Sequence, residues 1–175
     1  MLPRHIRYPL GLILASLLLA SCASGQGTPV KAPELGQPLA FGGEQGQKVA
    51  IANGQIRLDA NGSKRSATFG DSSAHYYNTQ LASGKTVYFF VVKDQNGVYR
   101  AAANACQVCY ASRMGFRQEG DFMVCNTCGN RYPVGKIATE KGGCNPVPIS
   151  PNLQVKDGQL IIKEVELTPL ARFFS

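Results

Sequence analysis

Short runs of apolar and β-branched residues, separated by turn dipeptides, make up the chain from Lys48 onward. The clearest runs are residues 86–92, 98–100, 153–155 and 160–162. Dipeptides that favour positive φ angles lie beside such runs, at Asn53-Gly54, Asn61-Gly62, Asn96-Gly97 and Asp157-Gly158. Residues 155–160 give the clearest hairpin signal, and only residues 167–174 suggest a helical turn. The pattern predicts an all-β domain, a small sandwich or barrel.

The N-terminus has a different pattern, in which basic residues precede a short apolar run. Arg4 and Arg7 come before apolar residues 9–20, a run of about 12 residues where a bilayer span needs ~20. A basic start, a short apolar run and small residues before a cut site are typical of a secretory signal. The sequence Leu-Ala-Ser-Cys at residues 19–22 resembles a bacterial lipobox, in which the cysteine becomes the acylated first residue. We expect residues 1–21 to be a lipoprotein signal peptide and Cys22 to carry lipid; the alternative is an ordinary signal peptide with a chance cysteine.

These features predict an extracytoplasmic protein held on a bacterial membrane through the lipid on Cys22. Each buried CH₂ of an acyl chain contributes about 0.8 kcal/mol to membrane binding. Ala23 and Ser24 follow the cysteine, and by resemblance to sorted lipoproteins this favours the outer membrane, on its periplasmic face. Residues 22–47 are rich in Gly, Pro, Gln and Ala, which predicts a flexible tether after the lipidated N-terminus. The folded domain is expected to span residues 48–175.

The charge distribution narrows the choice of partners. The chain has 18 Lys+Arg and 11 Asp+Glu, a formal net charge of +7, and loss of Arg4 and Arg7 with the signal peptide leaves +5. The remaining basic residues are spread singly apart from Lys64-Arg65, and no basic run is interleaved with aromatic residues. A protein outside the cytoplasm with this distribution is not expected to bind nucleic acid.

Five cysteines follow Cys22, and four of them form two closely spaced pairs. Cys106 and Cys109 are followed by Cys125 and Cys128 in the pattern C-x₂-C-x₁₅-C-x₂-C, which is typical of a four-thiolate metal site. A two-residue spacer in a tight turn points both sulfurs the same way, so two such turns complete a tetrahedral set. Gly129 supplies an unhindered backbone that lets amides point at sulfur. Neither pair is followed by His, which excludes covalent attachment of c-type haem.

The residues alone leave three kinds of centre open: an iron–sulfur or other redox metal centre, a structural zinc knuckle in an interaction module, and a thiol–disulfide pair. Disulfides are permitted outside the cytoplasm, although C-x-x-C rings are more typical of redox catalysts than of cross-links. Cys144 is a fifth thiol after two glycines, which could cap the site, add a ligand, pair with another chain or stay free. His75 is expected to be a strand residue. No Ser-His-Asp or carboxylate pair stands out as catalytic, so the sequence favours an electron carrier or metal-binding protein over an enzyme.

The order of elements around the cysteine pairs resembles a Rieske cluster domain. In that fold two metal-binding loops and a Pro-rich third loop cover a [2Fe–2S] centre. Rieske centres use C-x-H and C-x₂-H, whereas both second ligands here are Cys and the first spacer is one residue longer. By this analogy Cys106 and Cys125 bind one iron, and Cys109 and Cys128 bind the other. Thiolates in place of imidazoles imply a reduction potential nearer to the plant-type value of about −400 mV.

Longer motifs carry a closer resemblance to one family. They are residues 88–92, 99–102, 105–110, 115–121 and 123–129, together with the GGCNPVP loop at 142–148. Over roughly residues 74–165 they resemble the membrane iron–sulfur FtrD-like family. The resemblance implies an extracytoplasmic iron–sulfur or other metal module, often linked to bacterial high-affinity iron uptake, with a membrane permease or a redox partner. Here the module would be a stand-alone lipoprotein.

Overall fold

A computed structural model describes residues 39–60 and 73–175 of the chain. Several of the sequence-based predictions fall outside these residues, namely the signal peptide at 1–21, the lipid site Cys22, the tether up to residue 38, the Asn61-Gly62 turn and the Lys64-Arg65 pair.

The described strands are β1 (Gln47–Lys48), β2 (Gln55–Asp59), β3 (His75–Gln80), β4 (Thr86–Lys93), β5 (Tyr99–Cys106), β6 (Phe116–Glu119), β7 (Phe122–Cys125), β8 (Arg131–Pro133), β9 (Pro146–Leu153), β10 (Val155–Lys156) and β11 (Gln159–Lys163). The helical elements are α1 (Glu164–Leu167) and 3₁₀ turns at Tyr110–Ser112, Val134–Lys136 and Thr168–Phe174.

The described strands form three open sheets, which confirms the predicted all-β fold. Of the two expected architectures, sandwich or barrel, these strands do not form a closed barrel. The largest sheet has the order β1-β3-β4-β5-β9, and the other two have the orders β10-β11-β2 and β6-β7-β8. The hairpin predicted at residues 155–160 is β10 and β11, with Val155 opposite Leu160. The predicted helical turn near the C-terminus is α1 followed by a 3₁₀ turn with Pro169 in its first positions.

Strand β4 is buried on both faces and separates two hydrophobic cores. Side chains alternate between the faces of a strand, so its two adjacent phenylalanines point in opposite directions. Phe89 packs in a core with residues of β2, β11 and α1. Phe90 packs in a second core that contains Cys106, Phe116 and Cys125. The cysteine-bearing half of the domain therefore has a core of its own.

Strand β5 is longer than the predicted run at residues 98–100 and ends at Cys106. Its added residues include Ala101, Ala102 and Ala103, which are fully buried beside β4 and β9. Such small side chains carry little strand propensity, so this extension comes from sheet packing rather than from local preference. Strand β9 contains several prolines and lies at the edge of its sheet. Proline is tolerated on an edge strand because the N–H that it lacks can be one that faces away from the sheet.

The packed part of the chain begins before Lys48, within the segment whose composition predicts a tether. The Phe41 ring is buried and stacks on the Tyr88 ring, with centroids 4.1 Å apart. The Gly42 N–H donates to the Arg113 carbonyl over 2.9 Å. Gly46 has a φ of +64°, and a Cβ there would lie 2.0 Å from the backbone of Tyr76, so only glycine allows this approach. The last residues of the expected tether therefore form an edge of the domain.

Candidate metal centre

All five cysteines that follow Cys22 lie at one end of the cysteine-bearing half of the domain. Cys106 and Cys125 are the last residues of β5 and β7. Cys109 and Cys128 lie in the turns that follow these strands, and Cys144 lies two residues before β9. The structure thus brings together the four ligands predicted from the two C-x₂-C pairs, and it adds Cys144 to them.

The five sulfurs form two overlapping groups of three. The Sγ atoms of Cys106, Cys109 and Cys125 lie within 4.8 Å of one another, and so do those of Cys109, Cys128 and Cys144. Cys109 is the member that the groups share. Cys106 and Cys125, which by the Rieske analogy bind one metal atom, fall in the first group, and Cys109 and Cys128 fall in the second. We call the first group the inner trio and the second the outer trio.

Backbone amides point at the sulfurs in both C-x₂-C turns. The Cys109 N–H lies 3.3 Å from the Cys106 sulfur. In the second turn the backbone amide of Asn130 acts on the Cys128 sulfur and lowers the pKa of its thiol. Gly129 between them has a φ of +73°, a conformation that side chains disfavour, which agrees with the part expected of this glycine. These donors stabilise thiolate over thiol, and the thiolate is the form that binds metal.

Solvent exposure differs between the inner and the outer trio. Cys106 and Cys125 are buried, Cys109 and Cys144 are half-buried, and Cys128 is exposed. Burial raises the pKa of Cys109 and Cys125, whereas the Asn130 N–H lowers the pKa of Cys128. A hydrogen bond with the Cys128 sulfur, followed by burial, raises the pKa of Cys144. The centre therefore has a protected side at the inner trio and an accessible side at Cys128.

The C-terminus of the chain covers the protected side. The Tyr110 and Phe173 rings meet edge to face, with centroids 5.2 Å apart. The Arg113 guanidinium donates to the carbonyl oxygens of Phe174, over 3.3 Å, and of Ser175. The space left beside Cys106, Cys109 and Cys125 is lined by these aromatic residues and is too narrow for a water molecule. Nothing in the sequence pattern linked this C-terminal segment to the cysteines.

Hydrogen bonds from both C-x₂-C turns hold the third loop in place. Gln107, within the first pair, accepts from the Gly142 N–H over 2.8 Å, and its own N–H donates to the Asn145 carbonyl over 3.0 Å. Asn130, just after the second pair, donates through Nδ2 to the Cys144 carbonyl over 3.3 Å. The backbone of Cys144 is therefore positioned by the same turns that hold the other four cysteines.

Asn104 is a further positioning residue that sequence reasoning missed. Its side chain is fully buried on β5, two residues before Cys106. Its Oδ1 accepts from the Phe116 N–H over 2.7 Å, and Phe116 pairs with Cys125 across β6 and β7. A Cβ on Gly115 would lie 2.5 Å from that Oδ1, so a glycine precedes Phe116. One polar residue in an otherwise apolar stretch of β5 is the signal that could have identified it.

Two basic side chains that lie close to the cysteine pairs in the sequence, Arg117 and Arg131, bind a protein carboxylate. Arg117 forms an ion pair with Glu119 over 2.6 Å, and Arg131 pairs with the same carboxylate. The two guanidinium groups hold the pKa of Glu119 below its usual value. His75 lies in β3, as expected of a strand residue. Cysteine thiolates are therefore the groups that this site offers to a metal.

The donor set fits a thiolate-bound centre. Thiolates are soft ligands, which select iron–sulfur cores, zinc or Cu(I) over Mg²⁺ or Ca²⁺. Four Cys ligands suffice for a [2Fe–2S] core, and four also suffice for structural zinc. With five sulfurs in reach, the site has one thiolate more than either centre needs.

Comparisons with known proteins agree with this chemistry. The model of a family described as membrane iron-sulfur containing protein FtrD-like matches residues 69–174, which include all five cysteines of the site. No curated protein and no solved structure matches the chain. Among residues 39–60 and 73–175, no helix is both long and apolar enough to span a bilayer.

Proposed function

The chain belongs to the FtrD-like family of membrane iron–sulfur proteins, and on that premise we propose that it is a membrane-anchored, extracytoplasmic metal-binding protein. Its role would be to transfer electrons, or to serve as an accessory protein in the uptake of a metal, namely iron. The observation that carries the proposal is the meeting of five cysteine sulfurs in two overlapping trios at one end of the domain.

We propose a [2Fe–2S] centre as the cofactor, which when bound supplies one-electron transfer at a low potential. Cys106 and Cys125 would hold one iron, and Cys109 with Cys128 would hold the other. The two sulfurs of each pair lie in the same trio, which supports this assignment. The residues around the centre exclude water from its inner side and leave Cys128 accessible. A redox partner or a membrane permease would therefore approach at the Cys128 side.

A structural zinc site is the second candidate, and the compactness of the inner trio favours it. Zinc bonds to thiolate sulfur are about 2.3 Å long, which places tetrahedral neighbours about 3.8 Å apart. Three sulfurs within 4.8 Å of one another are compatible with that spacing. The protein would then be an interaction module in which the metal holds the loops together.

Metal analysis of protein purified without oxygen separates these functions. We expect about two iron atoms and about two acid-labile sulfides per chain, together with visible absorption from sulfur-to-iron charge transfer. Cys106→Ala should lose most of the iron, whereas Val108→Ser, an exposed change between the same two cysteines, should keep it. A colourless protein with one zinc per chain would establish the zinc module instead. A metal-free protein with titratable disulfides would point to thiol–disulfide chemistry.

We also propose that Cys22 anchors the protein through lipid, and this has its own test. The chain should fractionate with membranes, and mass spectrometry should find acyl chains on Cys22. Exchange of residues 1–22 for an ordinary cleavable signal should release the domain as a soluble extracytoplasmic protein, because the described part has no helix able to span a bilayer. The released domain should keep its metal, and acyl-free wild-type protein would contradict the lipid anchor.

A further inference from the structure

We propose that Cys144 is a direct metal ligand. The metal position at the outer trio, which we call the outer position, then has one thiolate ligand more than it needs. It draws on three thiolates, Cys109, Cys128 and Cys144, any two of which suffice to hold the metal. The inference rests on the proposed [2Fe–2S] centre, in which each iron takes two protein thiolates. It gives the fifth cysteine a role and makes the two sides of the centre unequal.

The distances put Cys144 in the same relation to the outer position as its neighbours. Every pair of sulfurs in the outer trio lies within 4.8 Å. Two thiolates on one tetrahedral metal atom lie about 3.8 Å apart when its bonds to sulfur are about 2.3 Å. The upper limit of 4.8 Å on each sulfur pair is about 1 Å longer than that separation. Cys144 is therefore as well placed to bind as Cys128.

The backbone shows that this placement is built into the loop. Gln107 binds the loop on both sides of Cys144, through Gly142 and Asn145. The Asn145 side chain donates to the Gly142 carbonyl over 2.7 Å, which closes the turn around Cys144. Asn130 fixes the Cys144 carbonyl to the second C-x₂-C turn. A cysteine without a role at the centre would not need attachment to both ligand turns.

Exposure explains why redundancy lies on the outer side. Cys106 and Cys125 are buried at strand ends, and among the described residues the sulfur grouped with them is that of Cys109. The outer trio is half-buried or exposed, and its members lie in turns and a loop outside the strands. When one outer thiolate dissociates, another can bind before the metal leaves. The outer position therefore tolerates ligand exchange at the face that a partner can reach.

The test compares single and double alanine variants of two accessible cysteines. Cys128→Ala and Cys144→Ala should each retain metal within about two-fold of wild type, with an altered visible or paramagnetic resonance spectrum. The double variant should lose most of its metal, because only Cys109 remains at the outer position. Removal of metal by a chelator should be faster in each single variant than in wild type, since the spare ligand is gone. Circular dichroism and thermal unfolding check that each variant folds, and the two positions are chosen because neither is fully buried.

Each outcome decides the proposal. If Cys128→Ala loses as much metal as the double variant while Cys144→Ala matches wild type in spectrum and chelation rate, Cys144 is not a ligand. If Cys144→Ala alone loses as much as the double variant, redundancy is overturned. In both cases wild-type protein still holds metal, so the proposed function stands. Wild-type protein without bound metal would overturn the function and this inference together.

Discussion

Replacement of Phe90 by alanine is expected to lower the free energy of unfolding by about 3–5 kcal/mol and to reduce the metal content. Phe90 is fully buried, and truncation of a buried aromatic side chain leaves a cavity that costs this much. The cavity would open in the core that contains Cys106, Phe116 and Cys125. Shifts of the two strand ends would then separate the inner sulfurs. Denaturant unfolding followed by circular dichroism, with metal analysis of the folded protein, measures both effects.

Phe89→Ala is the matched control for this prediction. Phe89 is the preceding residue on β4, equally buried, and its ring packs 5.5 Å from Tyr77 in the other core. We expect the same loss of stability, because the same volume is removed, but a metal content close to that of wild type. A loss of about 3–5 kcal/mol is smaller than most of the typical range of domain stability, about 5–15 kcal/mol, and the unfolding curve of each variant shows that it is folded before denaturant is added. Equal loss of metal in both variants would show that the two cores do not act separately.

Replacement of Asn104 by alanine is expected to lower the free energy of unfolding by about 2–4 kcal/mol and to weaken metal binding. The change leaves the buried Phe116 N–H without its acceptor, and a buried donor without a partner carries a large desolvation cost. It also removes the bond from Nδ2 to the Glu44 carbonyl, which is 2.9 Å long. Strand β6 should then shift against β5, and Cys125 against Cys106. Chelator titration and denaturant unfolding measure the two consequences.

Asn78→Ala provides the comparison for Asn104. The Asn78 side chain also holds the segment before β1, through the carbonyl oxygens of Gln45 and Gly46 at 3.0 and 3.3 Å, but these two bonds are solvent-exposed and neither of them joins β6. We expect a loss of less than about 1 kcal/mol and unchanged metal affinity. If Asn104→Ala lowers stability but leaves metal affinity at the wild-type value, Asn104 supports the fold alone and does not position the centre.

Most of the strands could be predicted from the sequence because their apolar residues alternate or are β-branched. The β10–β11 hairpin and the core strand β4 are of this kind. The extension of β5 through three alanines could not be predicted, since small residues have no strong local preference. The burial of Phe41 could not be predicted for a similar reason, because one aromatic residue in a Gly-rich segment forms no periodic apolar pattern. Its packing site is defined by the rings of Tyr88 and Phe174, which lie far from it in the sequence.

The candidate site divides in the same way. The four cysteines of the C-x₂-C pairs could be predicted because their spacing is itself the constraint on metal geometry. For Cys144 the sequence left four roles open, among them a cap and an added ligand, because its position depends on hydrogen bonds from Gln107 and Asn130 across long stretches of chain. Asn104 acts through a strand that lies elsewhere in the sequence, and its spacing to Cys106 carries no recognisable motif.

The pairing of β5 with β9 makes the cysteine region a topological insertion. Cys106 lies opposite Pro146 in this ladder, so the segment between them leaves and re-enters the large sheet at neighbouring positions. Every cysteine of the centre falls within it or at its boundary. Adjacent ends add little strain to a host strand pair, so the segment is a candidate for transplantation onto another antiparallel ladder. A host would need a buried aromatic residue in the place of Phe90 and an asparagine in the place of Asn104, since both side chains belong to the sheet rather than to the insertion.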